Sequence, residues 1–599
     1  MHLFATRKKL VFLLATVAMV MLVAASFIAS FASLAHAAPS KAQVASTFHG
    51  TATHVTQISH AKPAHVTPPP PIPGTLAATK GNKPYAFTRT HLPSAGRVAA
   101  ATRQSIKPLA ASTSISEGGL RHNFNGLSNL DQAAANGDAA LDAVTPPDQG
   151  LCVGTDPASG HSVVFETINS AIDETATDGG PISAPSLLGN QIFSFAQFWE
   201  PNAFSDPRCF YDPTTKTFFF TVIGAVLSGP DMGQTSIDVA VYNSHGFAVY
   251  QVDSSNGGLF FGDQPHVGYD NNNLYLTTDS FSATSNDYFG ATLFILSKSQ
   301  LVAEASSVAE DVFGEPTPLS LGGIPILTLE PAISTSSTNT EFLLNSFPFL
   351  DADITPNPVS HQLGFWEVNN GADLSKGHPE KVTLEGKIIQ SETYSFPVPA
   401  TSTGDGSITN QTAEGITIPV QSETALNPDD DRMLQVQFIN GRLWAALTTA
   451  VSIGSDPVAR DGVAWFEVNT DKEKVVHQGY IALKGAYLIY PAILHTGEGT
   501  TAITFTVTSA TINPSAAYVV RKADSSQFGS VKIVATGTGP HLSFAGPLFN
   551  SPRWGDYSAA TLAPDNKEIW LATEYIPSPA HQNIFDNWGT RVFEVQGDQ

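Results

Sequence analysis

The feature that most narrows what this chain can fold into is a short leader that recurs seven times. It reads "PPDQGLCVG" from Pro146, "SDPRCFYD" from Ser205, "GDQPHVGYD" from Gly262, "LEPAISTS" from Leu329, "DDRMLQVQF" from Asp430, "IYPAILH" from Ile489 and "RWGDYSAATLAPD" from Arg553. Each opens on a polar residue, often beside proline, enters a short strand and turn, and is followed by a stronger strand and a third with an amphipathic pattern. Most leaders follow one another at about 55 to 75 residues, within reach of a propeller blade with extended loops. The runs between them, such as "KTFFFTVIGAV", "IDVAVYNS", "ATLFILSK" and "EIWLATEY", are rich in β-branched and aromatic residues and broken by Gly, Asn, Asp and Pro. The fold class predicted is therefore all-β, a β-propeller of seven blades. Small residues in "YSAAT" and "PAIST" suit inner strands crowded round an axis, and radial closure protects sheet edges. The last run, "TRVFEVQGDQ", would finish the final blade or close the ring against the first. A pair of β-sandwiches competes, because strand spacing alone also fits it.

Composition agrees with many short strands joined by turns. Charged residues make up 14% of the 599, while 47 Gly and 41 Pro supply breaks. A net charge of -23, from 53 acidic against 30 basic residues, would repel a phosphate backbone, and no basic stripe offsets it, so nucleic acid is not an expected partner. The N-terminus carries Arg7, Lys8 and Lys9 ahead of a long apolar run ending near "AHAA". That pattern predicts a signal peptide over 1–37, with an uncleaved membrane anchor as the alternative. Residues 38–113, rich in Ala, Thr, Ser, His and Pro and including "TPPPPIPG", read as a disordered spacer, which leaves 114–599 for the propeller. Secretion or display at the cell surface would allow Cys152 and Cys209 to pair, a bond that would link two neighbouring repeats.

The ordered set "TPPDQGLCVG", "SDPRCFYDPTTKTFFFTVIG", "GDQPHVGYDNNNLYLTTDSF" and "PRWGDYSAATLAPDNKEIWLATEY" resembles a group of exported bacterial β-propeller proteins that carry PPDxxG, DPxxxYD and RWGDYS-type segments in the same order. The similarity spans roughly Thr145 to Gln599 and is loose in the middle leaders. It implies a fold and an extracellular address, and no activity.

Aligned on their strand starts, the leaders place Asp148, Asp206, Gln264, Glu330, Asp431, Tyr490 and Asp556 at equivalent positions, with Asp263 one step earlier. In a propeller these side chains would form a carboxylate-rich collar round one end of the channel, and crowded carboxylates need donors or a cation. Neighbouring backbone N–H groups are one answer. A Ca²⁺ ion is another, with Asp148, Asp206 and Asp556 as candidate ligands, although no cofactor is required. The third is a catalytic pocket using Asp263, Glu330 or Asp556. Candidate ligand-binding residues are Asp206, Arg208, Asp263, His266, Asp431, Arg432, Arg553, Trp554 and Asp556, and the expected partner is an extracellular glycan or protein. No sialidase-type Asp-box, G-x-S-x-G elbow, H-E-x-x-H pair or P-loop occurs, so the reading leans towards a binding module. A polysaccharide-acting hydrolase or lyase and a structural envelope protein are the alternatives. The Asp/Asn-rich stretches at Asp212, Asp270 and Pro564 read as hairpin turns, His266 as a packed residue, and the tryptophans as packing between blades.

Overall fold

The computed structural model describes residues 47–51, 57–59, 116–117, 120–136 and, with short internal gaps, 145–596; the expected signal peptide and most of the expected spacer lie outside the described residues. The fold is all-β and propeller-like. Its strand pairings form seven four-stranded antiparallel units among the described residues. Their first strands are Gly150–Thr155, Ala203–Asp212, Phe260–Tyr269, Glu330–Ser334, Met433–Ile439, Tyr487–His495 and Ala559–Leu562, and they number units 1 to 7. Each first strand lies against the first strand of the next unit, and that of unit 7 against that of unit 1, so the circuit closes. At two junctions the approach is close enough for parallel pairing, Tyr269 with Ile333 and Ala332 with Val436.

The apolar pattern explains why the units stack. In Thr217–Ala225 of unit 2 all nine residues are buried. Phe218, Phe220 and Val222 pack with Phe165 and Val163 of unit 1, whereas Phe219 packs with Val267, Leu276 and Phe294 of unit 3. Side chains alternate across a strand, so burial of every residue of the run, its two threonines included, is what a sheet covered on both faces requires. The same arrangement recurs round the ring. One apolar cluster fills each junction between consecutive units, including Leu151, Val153 and Val164 of unit 1 against Ala559, Trp570 and Val592 of unit 7. Two stacked sandwiches would instead leave one face of several sheets to solvent, so the competing architecture is excluded.

Unit 7 is completed by a strand from the other end of the globular region. Gly589–Gln596, the expected last run, is its third strand, and Asn123–Ser128 pairs with that run as the fourth. The closing strand runs into a helix, Asn129–Ala135, capped by Ser128 and Asp131 in a reciprocal box. Its backbone passes so close to unit 1 that a Cβ on Gly126 would stand 2.2 Å from Glu166 Oε2. Cys152 in the first strand of unit 1 and Cys209 in that of unit 2 form a disulfide, with Cα atoms 5.3 Å apart. The long interval between the fourth and fifth leaders holds a hairpin, Ile408–Ala413 with Ile416–Ser422, which pairs with Leu542–Ser543. Within the N-terminal stretch, Thr47–Thr51 pairs with the outer strand of unit 4 and Gln57–Ser59 with that of unit 3. No helix among the described residues is long and apolar enough to cross a membrane.

Candidate functional site

The leaders converge because their backbones break register at one place. In unit 2 the pairing jumps from Ser205–Ile223 to Arg208–Thr221, leaving Asp206 and Pro207 opposite one residue. The same bulge occurs at Gln264–Pro265 in unit 3 and Tyr490–Pro491 in unit 6. The first bulged residue has left-handed backbone in each case, with φ of 55° at Asp206, 47° at Gln264 and 54° at Tyr490, and Asp148 in unit 1 has φ 50°. Proline fits the second position because an unpaired bulge residue needs no N–H for the ladder. Left-handed backbone costs about 1–2 kcal/mol at a non-glycine residue, which the packed ring supplies, and it turns the side chain away from the strand's alternation.

One residue of the predicted collar is displaced. Unit 5 has its register break at Leu434–Gln435, between Met433–Leu447 and Val436–Ala445, so Asp431 lies three positions too early to be the equivalent of Asp206. Its carboxylate is fully buried and has no hydrogen-bond partner, and burial followed by Asp430 pushes its pKa well above the ordinary range. Asp431 is therefore corrected from ligand contact to interior packing. Leu434 holds the true position, and Gln435 beside it sends its amide across to unit 7, where it donates to Ala560 O at 3.0 Å and accepts from Ala560 N at 3.2 Å.

The remaining candidates form three groups. Asp148, Asp206 and Asp556 are buried, with carboxylate oxygens within 4.8 Å of one another. Asp148 accepts from Asp556 N at 2.7 Å and Asn169 Nδ2 at 2.8 Å, Asp206 accepts from Ser205 Oγ at 3.1 Å, and Arg553 holds Asp556 at 2.6 Å. Burial raises the Asp206 pKa well above its ordinary value, with Asp148, Asp263 and Asp556 adding to the rise and Arg208 opposing it. The Arg553 pKa is raised: burial alone would lower it, but Asp556 and Asp148 outweigh that.

In the second group, the Arg208 guanidinium stacks 3.3 Å from the centre of the Tyr557 ring, and its Nη2 lies 3.4 Å from His266 Nδ1. His266 Nδ1 is 2.5 Å from Glu330 Oε2, the shorter contact and the one that holds the imidazole. Burial keeps Glu330 well above the usual carboxylate range, against the pull of Arg208. His266 is 1% exposed, a packed histidine with a carboxylate partner.

The third group centres on Arg432, which reaches Asp430 at 2.7 Å, Asp279 at 2.7 Å, and Gln264. Its charge is spent on these acids. Arg432 is therefore corrected from ligand binder to internal brace. Trp554 is also removed from the contact set. It is 1% exposed, donates to Thr506 Oγ1 at 3.2 Å and packs with Tyr490 and Ile576. Trp366, Trp444, Trp465, Trp570 and Trp588 are buried in packing as well, while Trp199 lies outside the described residues.

Sequence reasoning missed Asp279, Asn169, Tyr557 and Glu574. Asp279 pairs directly across the strands with Asp263, and the signal was there as the one charged residue of "LYLTTDSF". Asn169 cross-links the first two leaders by accepting from Asp206 N at 2.7 Å while donating to Asp148. Glu574 accepts from Gly555 N at 2.7 Å. The Asp/Asn-rich turns cap themselves, as in Asp212 accepting from Thr214 N and Asp270 from Asn272 N.

No family model matches this chain, and no curated protein does. Among solved structures it is similar to an alpha-L-arabinofuranosidase of Fusarium graminearum, at 8% identity over 79% of this chain and 98% of that one, with a TM-score of 0.31. It is also similar to a mutant Trypanosoma rangeli sialidase, at 11% identity over 65% and 54%, TM-score 0.31. A protein of unknown function from Dyadobacter fermentans aligns at 11% identity over 56% and 96%, TM-score 0.26. At such scores these likenesses bear on neither fold nor function, which rest on the pairing and contacts described above.

Proposed function

We propose that this chain is an exported, seven-bladed β-propeller that binds an extracellular glycan or protein at the collar end without turning it over. Each four-stranded unit is read as one blade, and the basic-then-apolar N-terminus with the Cys152–Cys209 disulfide supports export. The observation that carries the binding reading is that the acids offered for catalysis are engaged internally. Asp556 is held by Arg553, Glu330 by His266, and Asp263 faces Asp279 within the sheet. Glycoside cleavage asks two carboxyl groups to exchange protons with substrate and water across an open gap of about 5–9.5 Å. Here Gln435 of unit 5 and Arg208 of unit 2 each reach past an intervening unit to unit 7, so side chains crowd the collar. What the collar offers a ligand is the edge of Arg208, Asp263 and Arg553, each 7 to 8% exposed.

The test is a glycan array and a cell-surface protein capture with the purified full chain. Saturable binding, weakened by Asp263→Asn and by Arg553→Lys, is expected; a chain that retains neither glycan nor protein overturns the reading. A hydrolase is the second reading, favoured by one observation: burial raises the Glu330 pKa well above its ordinary value, the direction a general acid requires. Polysaccharide turnover that disappears in Glu330→Gln would establish that reading over binding alone, and turnover unaffected by it would remove Glu330 from the chemistry.

A further inference from the structure

The junction where the ring closes brings carboxylates from four units together. Asp148 comes from unit 1, Asp206 from unit 2 and Asp556 from the leader of unit 7, and Asp263 of unit 3 acts on the same group. Against these four carboxylates stand two guanidiniums, Arg553 on Asp556 and Arg208 over the Tyr557 ring. Carboxylates gathered this closely repel one another, and burial makes each charge costly. The Tyr557 hydroxyl is an independent sign that something belongs there. Tyr557 is 1% exposed, its hydroxyl has no hydrogen-bond partner among the described residues, and the phenol lies in the field of Asp206, Asp556 and Asp148, with Arg208 opposing them. A buried hydroxyl facing three carboxylates and bonded to none is suited to donate to a water held by a central ion. Glu574 Oε1, also buried and without a partner, feels the field of Asp148 and Asp556 as well.

We propose that Asp148, Asp206 and Asp556 bind one hard divalent cation of calcium size, which staples the first, second and last units at the seam of the ring. The preference for calcium follows from the ligand set. Calcium takes about six to eight oxygens in flexible geometry and accepts three protein carboxylates, here within 4.8 Å of one another, whereas magnesium keeps several waters and takes one or two carboxylates. Hardness follows from the donors, all carboxylate oxygens with neither thiolate nor imidazole. The cation replaces with one ion the protons that the carboxylates would otherwise take up, and it couples the chain's two ends without lengthening the interface.

The experiment uses the full chain stripped with EDTA at pH 7.5, titrated with calcium chloride and separately with magnesium chloride, by calorimetry and by thermal melting. One calcium per chain is expected, magnesium weaker by at least tenfold, and a rise in melting midpoint of about 2–4 °C at a hundredfold excess over Kd. In EDTA, Asp206→Asn should melt no lower than the wild type, because it removes a buried carboxyl crowded by Asp148, Asp263 and Asp556, and it should gain nothing from calcium. Asp148→Asn is the second variant with the same expectation, so either one that folds serves. A wild type without calcium heat or midpoint shift overturns the proposal, as does a shift that persists in both variants.

Discussion

Arg432 shows at the scale of one residue how the collar is held. Its guanidinium is 2% exposed and ties Asp430 and Asp279, from units 5 and 3, into one charged knot with Gln264. A paired buried charge contributes little net stability, but removing one partner leaves the others without a counter-charge. Arg432→Met should therefore cost about 3–5 kcal/mol in urea denaturation, and a loss below 1 kcal/mol would show that the acids take up protons at little cost. The acids and arginines of the leaders were legible as residue types at recurring positions. Which of them meet was not, since Arg208 could be matched in sequence to Asp206 two residues away, yet it stacks on Tyr557 from unit 7 and contacts His266 from unit 3. Asp431 failed for a similar reason: alignment by polar character cannot see a register break, and only the pairing of Met433 and Val436 places it.

At the scale of elements, the inner strands and the closing strand carry the load. The bulge is written in sequence as X-Pro in "SDPR", "DQPH" and "IYPA", and the proline shows through because it alone lacks the N–H a regular ladder needs. Closure was less visible. "TRVFEVQ" was expected to finish the last blade or lean on the first, and nothing local announces that Asn123–Ser128 would supply the outer strand. Gly126 marks that strand's tightest point. Gly126→Ala would press a methyl against Glu166 and Thr590, whose oxygens stand 2.2 and 2.4 Å from the ideal Cβ, and should cost about 1–3 kcal/mol in chemical denaturation. A second staple is covalent. The disulfide closes a loop of 57 residues between units 1 and 2, so Cys152→Ser with Cys209→Ser should lose about 2–4 kcal/mol, read as a lower urea midpoint at unchanged slope.

Across the whole molecule the dominant chemical fact is the number of carboxyl groups whose pKa burial has raised. Glu166 is pushed up to about 8, Glu174, Asp238, Asp311, Glu315, Glu392 and Glu423 to about 7, and Asp173 to about 6, burial being the largest cause in each. Between their unfolded values near 4 and these folded values, the folded state binds more protons than the unfolded one. That contribution to stability is fully present below about pH 4 and is lost as pH rises through 6 to 8. Calorimetric melting of the EDTA-stripped protein should thus give a higher midpoint at pH 5 than at pH 8; a midpoint that rises over that window would contradict the assignment. What the sequence by itself determined was the repeating strand-and-turn texture, the all-β class and the residue types of the collar, because alternation, turn chemistry and proline placement are local properties of a chain. What only the tertiary structure decided was the partner of each charge, the strand that closes the ring and the meeting of Asp148, Asp206 and Asp556. Those depend on contacts between residues far apart in the chain, 408 positions for Asp148 and Asp556 and 468 for Asn123 and Arg591, and no short-range pattern encodes a distance that the closed ring alone makes small.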